Sequence, residues 1–133
     1  MEKANPIWVW TEQRNNRLMD VSIELLGKGL ELAERLQTKL QAILIGDQTT
    51  ELADELIAFG ADTVYTVEDS RLRAYQSDIY PNIVADLIKE YSPEIVLIGA
   101  TNIGMDLAPR VAAKVKTGLT AHCVDLYIDE DGE

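Results

Sequence analysis

The run Ile95-Val96-Leu97-Ile98, bounded by Pro93 and Gly99, most narrows the folds open to this chain. Four β-branched or leucine residues in a row leave no polar face. A strand without alternation is covered on both sides, as in a parallel sheet. The residues that follow, from Ala100 to Arg110, read as a tight loop and then a helix. Gly99 and Gly104 let the backbone turn without a Cβ penalty. Pro109 marks the neighbourhood of the helix start, because only the first few helical amides have no partner inside the helix. The pattern predicts a start between Gly104 and Asp106.

The same alternation of apolar run and helical pattern covers the rest of the chain. Ile7-Trp8-Val9-Trp10 is a first strand, the polar turn Asn15-Asn16-Arg17 follows, and helical periodicity then extends over residues 18–36. Val21, Leu25, Leu32 and Leu36 form its expected buried stripe, with Gly29 in the remaining place of the repeat. Residues 42–46 repeat the buried-strand signature, and Leu52, Ala53, Leu56, Ile57 and Phe59 recur at helical spacing up to Gly60. Residues 63–67 are a β-branched strand, and residues 79–91 a helix with Ile83, Val84, Leu87 and Ile88 inside and Pro93 just past its end. A helix through about Lys116 and a last strand over 120–128 complete the pattern. Five strands alternating with four helices predict a single α/β domain over residues 1–133. It is a three-layer open parallel sheet of the Rossmann-like kind, with right-handed crossovers. At 133 residues and 47% hydrophobic content, the chain has enough apolar material for one such core.

A strand, a glycine-bearing loop and a helix N-terminus together form the usual anion position of an open α/β sheet. Gly99 and Gly104 have the spacing of a Walker A loop, but Met105-Asp106 stands where Lys-Ser/Thr is required, which excludes a P-loop. Gly27-Lys28-Gly29 begins like a dinucleotide fingerprint, yet position 32 is leucine and the segment lies within a helical pattern; close helix packing explains it. The candidate ligand or partner-contact loop is therefore Gly99, Thr101, Asn102, Gly104, Asp106 and Arg110. Asp106 has the spacing for an i,i+4 pair with Arg110, and Thr101 and Asn102 are placed to cap the helix. Trp8 and Trp10, two apart on a strand, share one face and suit core packing better than stacking on a ligand.

Twelve basic residues against 23 acidic ones give a net charge of -11, which excludes nucleic acid and anionic membrane surfaces as natural partners. No apolar run approaches the ~20 residues needed to span a bilayer. One cysteine, Cys123, makes no internal disulfide, and the start of the chain lacks an apolar leader, so a cytoplasmic setting is expected. His122-Cys123 supplies two potential metal ligands where three or four are needed, so no metal site is expected. Thiol catalysis is excluded on a strand where neighbours face opposite ways. No Ser-His-Asp set or paired carboxylates point to catalysis. Asp125, Asp129, Glu130 and Asp131 read as a solvated acidic end. Asp131-Gly132 is a turn signal after a strand, which suggests a piece of a longer polypeptide.

Three segments resemble the N-terminal domain of the electron transfer flavoprotein alpha subunit. They are Trp8-Val9-Trp10-Thr11-Glu12-Gln13-Arg14, then Val21 through Gly29, and above all Gly99-Ala100-Thr101 through Asp106-Leu107-Ala108-Pro109-Arg110 to Thr117-Gly118-Leu119-Thr120-Ala121. The resemblance implies an adenine-nucleotide-hydrolase-like fold and a subunit of a heterodimer with a beta subunit. That heterodimer takes electrons from flavin dehydrogenases and passes them to a quinone reductase or another acceptor, in the cytoplasm or, in a eukaryote, the mitochondrial matrix. It further implies that FAD belongs to a C-terminal domain that these residues do not resemble. No cofactor and no catalytic residue is then expected here, and the domain's role is scaffold and interaction. Position 122 departs from the resemblance, with His122 where the family often has an acidic residue. The alternative reading is an adenine-nucleotide-binding domain of the universal stress type, although its glycine-rich phosphate loop ahead of the last strand has no counterpart beyond Gly118.

Overall fold

Backbone hydrogen bonds in the computed structural model, which describes residues 4–118 and 125–129, join five strands into one wholly parallel sheet. The chain runs β1 (Ile7–Thr11), β2 (Gln13–Arg14), β3 (Arg17–Leu18), α1 (Asp20–Leu36), β4 (Leu40–Gly46), α2 (Thr50–Ala58), β5 (Thr63–Glu68), a 3-10 turn (Ser70–Leu72), α3 (Ile79–Tyr91), β6 (Ile95–Gly99), α4 (Asn102–Gly118) and β7 (Asp125–Asp129). The sheet order is β5-β4-β1-β6-β7, so the order reverses beside β1, between its neighbours β4 and β6.

Apolar residues on both sides of β1, β4 and β6 divide the interior into two cores. Trp8, Trp10, Ile43, Ile45, Val96 and Ile98 face α3 and α4, where they meet Val84, Ile88, Leu107 and Val111. Ile7, Val9, Leu40, Ala42, Leu44 and Leu97 face α1 and α2, where they meet Leu25, Leu26, Leu52 and Leu56. Each such fully buried side chain contributes about 1.5–3 kcal/mol by leaving water. Both tryptophans are core residues, as their spacing predicts. Trp8 donates its indole N–H to Gln41 Oε1 at 2.9 Å and joins an aromatic cluster with Tyr65 and Tyr91, at centroid distances of 5.5 and 6.1 Å.

Four local expectations need correction. Residues 13–18 form a small hairpin, β2 and β3, closed by Asn15 and Asn16 at φ 52° and 62°, so the polar turn is a two-residue hairpin loop and α1 begins only at Asp20. The buried stripe of α1 is Val21, Leu25, Leu26, Gly29 and Ala33, while Leu36 is exposed. A seven-residue repeat drifts around a straight helix of 3.6 residues per turn, which moves Leu36 off the buried face. Helix α4 begins at Asn102, ahead of the predicted window, and Pro109 lies in its interior. Finally, only one of the two α1 glycines is there for close packing. A Cβ on Gly29 would lie 2.7 Å from Leu40 Cδ1, whereas one on Gly27 would meet nothing within 4 Å.

The last strand is described only from Asp125. His122, Cys123, Glu130 and Asp131 lie outside the described residues, as does the Asp131-Gly132 turn. Among the described residues, no helix is long and apolar enough to cross a membrane, and no group of three His, Cys, Asp or Glu side chains is placed to hold a metal ion.

Gly104 is the tightest point of the fold, because a Cβ there would overlap the carbonyl oxygen of Gly99. That obstacle is backbone and cannot rotate away. Gly104→Ala is expected to cost about 3 kcal/mol, the upper end for overpacking. Gly27→Ala, on an exposed helix face with open space around it, is expected to raise stability by about 0.5–1 kcal/mol. Chemical denaturation of the two variants checks both signs; equal effects would contradict this account of the packing.

Candidate functional site

The carboxyl end of an open parallel sheet, where strand order reverses, is where this architecture places ligands. Here β1 and β6 end side by side at that point. The loop after β6 is short: Gly99 closes the strand, and Thr101 immediately caps α4. Thr101 Oγ1 accepts from the Gly104 amide at 2.9 Å, and the Thr101 carbonyl accepts from the Met105 amide at 2.8 Å. Capping is therefore the role of Thr101, and Asn102 is an exposed first residue of the helix. Gly99 is crowded as well, since a Cβ there would sit 2.5 Å from Val21 Cγ2. Both loop glycines let α4, β6 and α1 approach one another closely.

Glu12, the residue just after β1, fills the crevice from the other side. It is 3% exposed, and Thr101 donates its hydroxyl to Glu12 Oε1 at 2.6 Å. Arg14 approaches Oε2 with Nε and Nη2, each at 3.3 Å. The Glu12 amide donates to Ser22 Oγ at 2.6 Å, and the same hydroxyl donates back to the Glu12 carbonyl at 3.0 Å. A buried carboxylate is costly unless it is hydrogen-bonded, and this one is. Next along the chain, Gln13 donates from Nε2 to the Ile45 carbonyl at 3.2 Å and packs against Gly46, closing the end of β4.

A second carboxylate serves another helix on this edge. Glu68, at the end of β5, accepts from both the amide and the hydroxyl of Thr49 at 2.8 Å, just ahead of α2. The Thr49 amide, and after it the hydroxyl, hold the Glu68 carboxyl below its ordinary range. Beside it lies a hollow of about 330 Å³ lined by Asn16, Asp47, Thr49, Glu51 and Glu68, whose acidic walls disfavour a phosphate.

Asp106 and Arg110 form the expected pair, Nε to Oδ1 at 3.1 Å. The sequence reading did not find the second partner, Tyr75, which donates to Asp106 Oδ2 at 2.7 Å from the connection before α3. Glu12 was likewise assigned no role. Its position directly after the first strand of the sheet was the available signal.

These details bear on a flavin. The pyrophosphate of a dinucleotide needs the free amides of a helix N-terminus at the switch point. Glu12 and Thr101 occupy that position, so FAD does not fit the crevice.

The sheet order and helices on both faces define the class of fold. A universal stress protein solved in complex with cAMP superimposes with a TM-score of 0.57 over 96% of this chain and 98% of that one, at 16% identity. At that identity the likeness concerns the fold alone. Sequence defines the family. The electron transfer flavoprotein domain matches residues 7–132, and the chain belongs to that family. It is 47% identical over 132 residues to the electron transfer flavoprotein subunit alpha of Thermoanaerobacterium thermosaccharolyticum, covering 99% of this chain and 40% of that protein. It is 46% identical over 123 residues to the acryloyl-CoA reductase electron transfer subunit beta of Anaerotignum propionicum, covering 92% of this chain and 34% of that protein. The chain thus spans less than half the length of these relatives.

The Tyr75 bond gives a pH signature. The Tyr75 hydroxyl, and after it the Arg110 guanidinium, hold the Asp106 carboxyl below its ordinary range, against the effect of burial. Burial first, and the bond to Asp106 second, push the Tyr75 hydroxyl up. A depressed folded carboxyl contributes stability that is present at neutral pH and lost as pH falls through its folded value. The stability gap between the wild type and Tyr75→Phe should therefore narrow from pH 7 towards pH 3. Urea melts across that range test this, and a gap independent of pH would exclude the coupling.

Proposed function

We propose that this chain is the N-terminal scaffold and interaction domain of an electron transfer flavoprotein alpha subunit. In the full heterodimer the alpha subunit works with a beta subunit to carry electrons from flavin dehydrogenases to a quinone reductase or another acceptor. FAD is held outside these residues, by a C-terminal domain of the alpha subunit. The domain is an electron-carrier part, not a catalyst, and its loop Gly99, Thr101, Asn102, Gly104, Asp106 and Arg110 orders the start of α4 at the carboxyl edge.

One observation carries this reading. Near-complete coverage of this chain at 47% identity corresponds to only 40% of the named alpha subunit, so the match is to one part of a larger flavoprotein. The self-closed crevice agrees with a flavin bound elsewhere. The name of the Anaerotignum relative, an acryloyl-CoA reductase electron transfer subunit, fits delivery to or from an enzyme of that kind.

The test has two arms. Calorimetric titration of the purified chain with FAD, AMP and ATP should give no binding, and a coexpressed beta subunit should copurify with the chain. Stoichiometric FAD on the chain alone would overturn the scaffold reading. Micromolar AMP or ATP binding would replace it with a nucleotide-binding domain of the universal stress type.

A further inference from the structure

The carboxylate of Glu12 has the contacts that a bound anion would have. Its oxygens meet a hydroxyl, Thr101 Oγ1 at 2.6 Å, and a guanidinium, Arg14 at 3.3 Å. The hydroxyl belongs to the cap of α4, whose first amides lack carbonyl partners within the helix and carry the positive end of its dipole. Hydroxyl and guanidinium are donors that an oxyanion takes, and here they sit beside a helix start. They converge at the point where the order of a parallel sheet reverses. The group among them is buried, with only 3% exposure, and it comes from the chain itself.

We propose that Glu12 is a built-in ligand: its carboxylate holds, from within the chain, the anion position that this fold offers at its switch point, and that position opens to a free oxyanion only when the Glu12 side chain is removed. The backbone of Glu12 is fixed separately. Ser22 Oγ bonds both its amide and its carbonyl, and the Met19 amide donates to the same carbonyl at 2.9 Å. Truncating the side chain leaves these bonds in place and vacates only the carboxylate. The vacated volume suits a small oxyanion such as formate more closely than a whole nucleotide.

The experiment is rescue of Glu12→Ala by added anions, with the thermal midpoint followed by circular dichroism. Formate and inorganic phosphate are each compared with chloride at matched ionic strength. The variant should melt several degrees below the wild type, and formate should raise its midpoint saturably, beyond chloride. The wild type should respond to formate and chloride alike, and so should Glu12→Gln, whose amide still fills the space. If Glu12→Ala is unfolded in chloride, refolding on addition of formate becomes the readout and carries the same expectation. Identical behaviour of Glu12→Ala in formate and chloride, folded or refolding, would overturn the proposal. So would saturable phosphate or formate binding by the wild type.

Discussion

One buried residue, Glu12, ties two helix starts together, its carboxylate at α4 and its backbone at α1, and the assembly of the carboxyl edge depends on it. An ionised group out of water is tolerated only where hydrogen bonds and opposite charge replace its hydration. The Glu12 carboxylate meets that requirement through Thr101 at the start of α4 and Arg14 of the hairpin, while Ser22 and Met19 at the start of α1 hold its backbone amide and carbonyl. None of these elements can shift alone without leaving a polar group unpaired. The carboxyl edge is thereby a polar lock on a sheet that is otherwise held by hydrocarbon.

Close backbone approach makes that lock possible. Gly99 lies against Val21, and Gly104 lies against Gly99 itself, so α4 starts in direct contact with the end of β6. The absence of two Cβ atoms brings Thr101 within reach of Glu12. On the opposite face Gly29 lets α1 settle over Leu40 and Val9 in the same way. Glycine acts in this domain chiefly by what it allows to touch.

Much of the architecture was legible because it rests on local periodicity. The apolar runs at β1, β4 and β6, the branched strand β5 and the span of α3 follow from burial on two faces and a 3.6-residue repeat, both written in neighbouring residues. The Asp106–Arg110 pair was legible for the same reason, being four residues apart on one helix. Contacts between distant segments were not. Glu12 and Thr101 are 89 residues apart, and Tyr75 and Asp106 are 31 apart, so no local pattern joins them. The start of α4 was placed too late because Pro109 was given the weight of a first-turn residue. The cap lies earlier, at Thr101, and an interior proline is accommodated. The hairpin was missed because Asn-Asn is a weaker left-handed signal than Asn-Gly.

Glu68 at the start of α2 has a consequence that reaches beyond the fold. Together with Glu12 at α4, it sets one of the chain's own acids beside two of the four helix starts on this edge, in a chain of net charge -11. At those two starts the chain's own negative charge offsets the helix dipole that a diffusing molecule would meet. Encounter with basic surfaces is accelerated and encounter with acidic ones slowed, and the contrast fades as salt rises. Self-capping at two helices thus becomes a choice of company at long range.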